Sequence, residues 1–247
     1  MKPIILLSAL VALAPALRAT VTETFKQTYP LAAEGTVQLE SINGFVEIEA
    51  WNRNEVSVEA EKSAKDAEGL SRMHILVESG PTRLKIKSDY DQKWKFWDTM
   101  NAEVRYKIKV PAGASLDKIE VVNSGVHVSG VHGSITLEGV NGSFAAEDVA
   151  GVGWFKTVNG SISVKYSKLT TGSAVTIASV NGDCKLTLPS DAVFRLEAGN
   201  LNGHINCAFP ITLEKSSSHD LRGTVGGGGA VVKLESVNGA LSVARSD

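Results

Sequence analysis

Apolar and polar residues alternate in short stretches that return every nine residues through the middle of this chain. Each stretch can be counted from one of five evenly spaced valines, which are Val122, Val131, Val140, Val149 and Val158. The positions four and six residues after these valines are mostly apolar, and the position between them is mostly polar. The +4 row is Val126, Ile135, Phe144, Gly153 and Ile162, and the +6 row is Val128, Leu137, Ala146, Phe155 and Val164. This period-two alternation predicts β-strands with one buried face, each about five residues long and followed by a tight turn.

A second repeated feature is an apolar residue followed by Asn and usually by Gly. Its asparagines are Asn43, Asn123, Asn141, Asn159, Asn181, Asn202 and Asn238. Asn and Gly tolerate positive φ, so we predict that all seven asparagines are structural turn residues. Successive intervals from Asn123 are 18, 18, 22, 21 and 36 residues, and we interpret the last as two coils of 18. A period this short suits one coil of a β-solenoid, in which each coil covers the apolar face of the one before.

Asn-Gly also favours type I′ hairpins, so an antiparallel meander is the competing interpretation. Two details favour the coil. Asparagine occurs only in alternate nine-residue units, as if like side chains stack on each other. Glu138 precedes Lys156, and Glu147 precedes Lys165, by 18 residues, which would place opposite charges on neighbouring strands. We therefore predict an all-β, β-solenoid or β-helix-like fold with coils of roughly 18–22 residues and a less regular N-terminal capping section.

The N-terminus has the pattern of a secretory signal peptide. Lys2 precedes an apolar run over residues 3–17, and small residues follow. Cleavage is expected after Ala19, with the Ala-Pro-Ala at 14–16 as the alternative. The remaining residues, 20–247, are predicted to form a single adhesin-like domain, with irregular coils over 20–110 and regular repeats over 111–247. No later stretch is apolar enough to span a membrane, so we expect an exported protein, either periplasmic or at the cell surface.

Composition narrows the choice of partner. The chain has 43% hydrophobic residues, enough for a large core, and its net charge of −2 becomes −4 once Lys2 and Arg18 are removed. Basic residues form no dense cluster, which argues against nucleic acid. The inward rows of consecutive predicted coils contain Cys184 and Cys207, whose Cα atoms would lie about 8 Å apart, beyond comfortable disulfide reach. Free thiols are favoured, although export would permit a bridge.

Catalytic and cofactor motifs are not found in this sequence. His127 and His132 would point to different sides of a coil, so no metal site and no cofactor are expected. Glu138 and Glu147 align with lysines as mutually neutralising rows, which is typical of a solvated face and not of paired catalytic acids. We expect no catalytic residues and no enzymatic activity.

Four aromatic residues lie close together and are the candidate ligand-binding residues: Tyr90, Trp94, Phe96 and Trp97. They are interleaved with charged residues. Their rings either seal the open end of a coil or form a ligand-facing patch. Trp154 takes an outward position that other units fill with smaller residues, so either a loop covers it or it is an exposed contact residue.

Several passages match a known family in their order and spacing. They are residues 41–48 (SINGFVEI), 106–114 (YKIKVPAGA), 188–192 (LPSDA), 223–229 (GTVGGGG) and 237–239 (VNG). The chain resembles the bacterial secreted putative adhesins grouped as domain of unknown function 4097. The resemblance implies a β-solenoid-like fold and a cell-envelope setting, and it implies no catalytic residues.

These observations together predict an exported, non-enzymatic binding or structural protein. Its partner would be an extracellular or envelope polymer or another protein, since stacked strands offer long flat faces. One alternative is a carbohydrate-active enzyme of β-helix type, and a second is a periplasmic accessory of an envelope-stress system.

Export can be checked directly from the mature N-terminus. Mass spectrometry of periplasmic or secreted material should show a chain that starts near Thr20 or Leu17. Recovery of the protein only in the cytoplasm with Met1 intact would contradict this prediction.

Overall fold

The structure is a computed structural model that describes residues 20–91 and 102–246. The predicted signal peptide and the predicted binding residues Trp94, Phe96 and Trp97 lie outside the described residues. The described chain is all-β, with 71% of residues in strands and very little helix. Its 19 strands belong to one nearly closed sheet. The all-β class predicted from the alternating pattern is therefore confirmed.

The strands, in chain order, are β1 (Val21–Pro30), β2 (Thr36–Trp51), β3 (Glu55–Ala64), β4 (Met73–Ser79), β5 (Arg83–Tyr90), β6 (Ala102–Pro111), β7 (Ser115–Ser129), β8 (Ile135–Asn141), β9 (Phe144–Val149), β10 (Gly153–Asn159), β11 (Ile162–Tyr166), β12 (Ala174–Asn181), β13 (Cys184–Pro189), β14 (Phe194–Asn202), β15 (Ile205–Cys207), β16 (Ile211–Ser216), β17 (Asp220–Val225), β18 (Ala230–Asn238) and β19 (Leu241–Ser246). One short helix, α1 (Ala67–Ser71), lies between β3 and β4, and the Asp66 side chain caps its N-terminus.

The sheet divides into two layers because the chain turns near each of the seven asparagines. Layer A has the strand order β4-β5-β2-β7-β8-β10-β12-β18-β14-β17-β16. Layer B has the order β1-β3-β6-β2-β7-β9-β11-β13-β19-β15. The long strands β2 and β7 contribute to both layers. Side chains from both layers meet in one hydrophobic core.

Pairing is parallel through the middle of both layers. Leu137 of β8 lies opposite Phe155 of β10, and Glu138 lies opposite Lys156, as the 18-residue period predicts. Antiparallel pairs occur only toward the ends of the layers, for example between β14 and β17. The hairpin meander is excluded for the central strands, because strands joined by tight hairpins would pair antiparallel.

The second predicted charge pair meets a local irregularity. Ala146 pairs with Val164 and Val149 pairs with Tyr166, so two residues of β9, Glu147 and Asp148, stand opposite Lys165. This is a β-bulge, in which one strand has an extra residue, and Asp148 has a φ of 51° there. The simple one-to-one alignment of Glu147 with Lys165 is therefore not what this structure has.

The rows at +4 and +6 point inward, as predicted. Ile135 and Ile162 are each 1% exposed, whereas Thr136 and Ser163 face outward. Gly153 is the one member of the +4 row without a side chain. A Cβ atom at that position would lie 2.2 Å from the hydroxyl of Tyr166, so the tyrosine fills the space that the glycine leaves.

The seven asparagines form one continuous ladder of side-chain hydrogen bonds. The Nδ2 atom of each asparagine donates to Oδ1 of the next along the stack, at 2.7–2.8 Å. At one end, Nδ2 of Asn43 donates to the carbonyl oxygen of Ala102 at 3.3 Å. The predicted stacking of like asparagines is confirmed by these bonds.

The order of the ladder corrects one prediction. Asn238 lies between Asn181 and Asn202, because β18 pairs with both β12 and β14 and β19 pairs with both β13 and β15. The interval of 36 residues after Asn202 is therefore not two further coils. The last two strands of the described chain, β18 and β19, therefore do not extend the stack. They insert between the pair β12–β13 and the pair β14–β15. The spacing alone is equally compatible with either arrangement.

The same insertion separates the two cysteines. Cys184 pairs with Leu241, and Cys207 pairs with Val243, so β19 lies between their strands. The sequence predicted the two cysteines on consecutive coils, and this prediction is wrong because β19 separates their strands. Both thiols are free, with Cys184 buried, and burial raises the pKa of Cys184 to about 12.

The inward register can be tested with a matched pair of substitutions. Ile162→Asp places a carboxylate in the core and should reduce the free energy of unfolding by several kcal/mol or prevent folding. Ser163→Asp, one residue further on and outward-facing, should change it little. Urea titrations followed by circular dichroism compare the two, and similar effects from both would show that the register is wrong.

Candidate functional site

The apolar residue of each repeated phrase forms a ridge on the surface. Among the five valines spaced by nine residues, Val131 and Val149 are fully buried, but the valines that precede asparagines are not. The aliphatic side chains that precede the seven asparagines lie one above another along the stack. Six of them are 37% to 63% exposed, and the first, Ile42, is half-buried. This aliphatic ridge consists of Ile42, Val122, Val140, Val158, Val180, Val237 and Leu201. A contiguous exposed apolar row of this kind is typical of a contact surface.

Beside the ridge lies a row of small, buried polar side chains. The hydroxyls of Thr157, Ser179 and Ser236 donate to the carbonyl oxygens of Gly142, Gly160 and Gly182, at 3.0–3.3 Å. These hydroxyls are satisfied internally and leave little bulk at the surface. Ala178 and Gly199 occupy the next row of layer A and are also small. These small residues therefore form a depression in the surface, with larger side chains on either side.

The low surface is the floor of a groove of about 500 Å³ on the outside of layer A. One wall is the end of the aliphatic ridge, and the other consists of charged side chains. The β16–β17 hairpin closes one end, because β17 pairs antiparallel with β14 and contributes residues to the lining. The lining residues are Lys156, Thr157, Ala178, Ser179, Val180, Glu197, Ala198, Gly199, Asn200, Leu201, His219, Asp220, Arg222, Lys233, Glu235, Ser236 and Val237.

The carboxylates of the groove are paired with cations. Glu235 lies 2.9 Å from Nζ of Lys233, and Glu197 lies 3.5 Å from Nε of Arg195. Asp220 forms ion pairs with Lys215 and Arg222. The hydrogen bond from Lys215, with the nearby positive charge of Arg222, lowers the pKa of Asp220. Asp220 therefore stays ionised at neutral pH.

One cation of the groove has no such partner. Within residues 20–91 and 102–246, no carboxylate lies within 4 Å of Nζ of Lys156. Its opposite neighbour Glu138 instead accepts a hydrogen bond from Nε1 of Trp154 at 3.1 Å. Lys156 therefore offers a positive charge at the entrance to the groove.

Asn200 is a buried polar residue of the lining, at 8% exposure. Its Oδ1 atom lies 3.4 Å from Nδ1 of His219. Its Nδ2 atom has no hydrogen-bond partner in the described part of the chain, and an unpaired buried donor is costly. This end of the groove thus has a buried amide donor without a partner among the described residues.

Among the predicted binding residues, Tyr90 is described by the structure and does not line this groove. Tyr90 ends β5 and packs against the core, and burial raises its pKa to about 12. Tyr90 therefore contributes to packing, and its role in ligand binding stays a prediction. The other three aromatics are outside the described residues. The asparagines lie next to the ridge, as the repeated phrase requires. For Trp154, the exposed alternative is the one observed, since the residue is 43% exposed.

The groove could not be predicted from the sequence, because strands distant in sequence form it. Its lining comes from β10, β12, β18, β14 and β17, and β18 reaches this place only by insertion. The available signal was the apolar residue before each asparagine, which the nine-residue period had grouped with the buried valines. No group of three or more His, Cys, Asp or Glu side chains suited to a metal ion occurs among the residues described.

Comparison with known proteins gives a fold relationship. The crystal structure of a putative cell adhesion protein from Clostridium sporogenes superimposes with a TM-score of 0.57 at 12% identity, over 91% of this chain and 100% of that one. A putative adhesin from Bacteroides fragilis matches 91% of this chain and 97% of its own, at 9% identity and a TM-score of only 0.31. The first match shows a shared fold, and the second is too distant to support an argument.

No protein-family model matches this chain, and no curated protein matches its sequence. Within the described ranges, none of the helical structure is long and apolar enough to cross a membrane.

The exposure of Trp154 can be tested by substitution. Trp154→Ala should reduce the free energy of unfolding by no more than about 1 kcal/mol, because only a surface hydrogen bond and partial packing are lost. Phe155→Ala, its fully buried neighbour, should cost about 3–5 kcal/mol. Chemical denaturation measures both values. Equal, large losses would mean that the indole is covered in solution.

Proposed function

We propose that this protein is an exported, non-enzymatic β-solenoid protein of the secreted-adhesin type, which binds an extended polymer or protein segment in the groove of layer A. The observation that carries the proposal is the groove itself, with an aliphatic wall on one side and a charged wall on the other. Such a surface suits recognition of a chain with both apolar and polar groups.

The solenoid part of the proposal is supported by the strand pairing. Residues 18 apart lie opposite each other in parallel strands, for example Asn123 and Asn141, and Asn141 and Asn159. A solenoid of this kind repeats its surface at every strand, so a ligand can meet equivalent side chains at successive steps.

The dimensions favour an extended ligand. The groove crosses five neighbouring strands, and strand spacing of about 4.8 Å makes it about 19 Å long. An extended polypeptide advances about 3.3–3.6 Å per residue, so roughly five or six residues would fill this length. A short oligosaccharide has a comparable extent.

The electrostatics favour binding over catalysis. A general acid at neutral pH needs a raised pKa, which enzymes usually obtain by burial or by a neighbouring like charge. The groove has the opposite arrangement, since its carboxylates are ion-paired and the pKa of Asp220 is lowered. Paired charges on a groove wall suit specificity for a ligand of complementary charge.

The cellular setting is proposed from two sources. One is the signal-peptide pattern of residues 1–19, together with the family resemblance carried by the repeated phrases. The other is the shared fold with a putative cell adhesion protein. Both favour a place in the cell envelope, in the periplasm or at the surface.

Filling the groove tests the proposed site. Ala178→Trp adds a bulky ring to the floor and should abolish capture of partners, while the melting temperature stays close to that of the unchanged protein. The measurement is binding of the mature protein to a glycan array and to solubilised envelope fractions. The matched control is Ala145→Trp, on the outer surface of layer B, at a half-buried mid-strand alanine of the same kind.

The control should leave binding intact. If Ala145→Trp and Ala178→Trp reduce binding equally, the groove is not the binding surface. If a polysaccharide is cleaved during the array experiment and Ala178→Trp stops the cleavage, the non-enzymatic part of the proposal is wrong.

A further inference from the structure

The last two strands of the described chain fill a slot that the preceding strands leave open. β14 and β15 follow β12 and β13 in sequence, yet β14 pairs with β17 and β18, and β15 pairs with β19. β18 lies between β12 and β14, and β19 lies between β13 and β15. If β18 and β19 are removed from this arrangement, a gap one strand wide is left in both layers.

The inserted segment is built to fill that gap. Val232 and Leu234 of β18, and Leu241 and Val243 of β19, point into the core and are at most 1% exposed. Asn238 donates to Asn181 and accepts from Asn202, so it joins the two parts of the asparagine ladder. Without this segment, four strand edges and a section of the core would be open to solvent, which makes the slot a strong strand-binding site.

A run of four glycines connects the segment to the preceding strand. Gly226 and Gly228 have φ values of 63° and 75°, and no atom lies within 4 Å of a Cβ built on Gly227. The run has to cross the end of β14, because Val225 and Ala230 pair with the same residue, Phe194, from opposite sides. Their Cα atoms are thus two strand spacings apart, or about 10 Å.

We propose that β18–β19 is an exchangeable strand pair, and that two copies of this chain join by each placing its own pair in the slot of the other. Every contact within the slot is the same whether the strands come from the same copy or from a second one. The balance between the two states then depends on the connecting run and on protein concentration. The glycine run allows the strands to enter their own slot, and it equally allows them to reach another.

Strand exchange does not depend on the proposed function, because its basis is the strand pairing and the glycine run. It adds one consequence for the groove. β18 contributes Lys233, Glu235 and Val237 to the lining, so in the exchanged state each groove is completed by the second copy.

Shortening the connection tests the proposal on the full chain. Deletion of residues 226–229 joins Val225 to Ala230 directly, and adjacent Cα atoms are only about 3.8 Å apart. The strands can then no longer cross the end of β14 to their own slot with the pairing intact. We expect the mass from light scattering to double relative to the unchanged protein. Gly227→Ser, which keeps the length, is the control and should leave the mass unchanged.

A cross-link shows whether the strands have moved between copies. Thr176 and Lys233 face outward and lie opposite each other on β12 and β18. One full-length chain has Thr176→Cys and another has Lys233→Cys, both with Cys207→Ser and an unaltered glycine run. The two are unfolded together and refolded at increasing concentration. A disulfide between chains should increase with concentration on a non-reducing gel.

The matched control replaces Thr176→Cys by Ala145→Cys, on layer B, where no cross-link to Lys233→Cys should form. The proposal is overturned if the first pair gives no more inter-chain disulfide than this control at any concentration. It is also overturned if the deletion variant is a folded monomer. Because the cross-linking experiment uses the unaltered glycine run, it decides the question even if the deletion variant fails to fold.

Discussion

The close approach of backbones at each Asn-Gly turn is the constraint on which the rest of this structure depends. A Cβ atom on Gly142 would lie 2.0 Å from the carbonyl oxygen of Ser124 in the neighbouring coil, and one on Gly160 would lie 2.2 Å from that of Gly142. Only glycine fits against the adjacent backbone at this distance. Each turn is therefore held directly over the next, and the strands on both sides of the turn inherit their register from it.

Three rows of side chains follow from that register. The asparagines meet at hydrogen-bonding distance and form the ladder. Two positions before Asn159 and Asn181, the hydroxyls of Thr157 and Ser179 donate hydrogen bonds to glycine carbonyl oxygens. The aliphatic residues between these two rows point outward, and they form the ridge. The groove appears where the ridge runs beside small residues and the β16–β17 hairpin closes the end.

Equivalent turns also explain how the chain can depart from sequential order. A pair of strands with the same turn geometry can stack at any level, so β18 and β19 fit between two strand pairs that precede them, β12–β13 and β14–β15. The early strand β2 shows the same behaviour, since it lies between β7 on one side and β5 and β6 on the other. The described chain thus has strands inserted out of sequence order near each end of the stack, next to antiparallel strands that cover the outermost positions.

The sequence by itself determined the local structure: the strands, their inward rows and the stacking of like asparagines over the central coils. Alternation and glycine chemistry are local properties, and Ile135, Ile162 and the 18-residue register follow from them. Only the tertiary structure decided which strands are neighbours, because near-identical turns make many stacking orders locally equivalent. The position of Asn238, the separation of Cys184 from Cys207 and the groove all depend on that order. The exposure of the ridge valines was also decided there, since a branched side chain is equally compatible with a buried or an outward turn position.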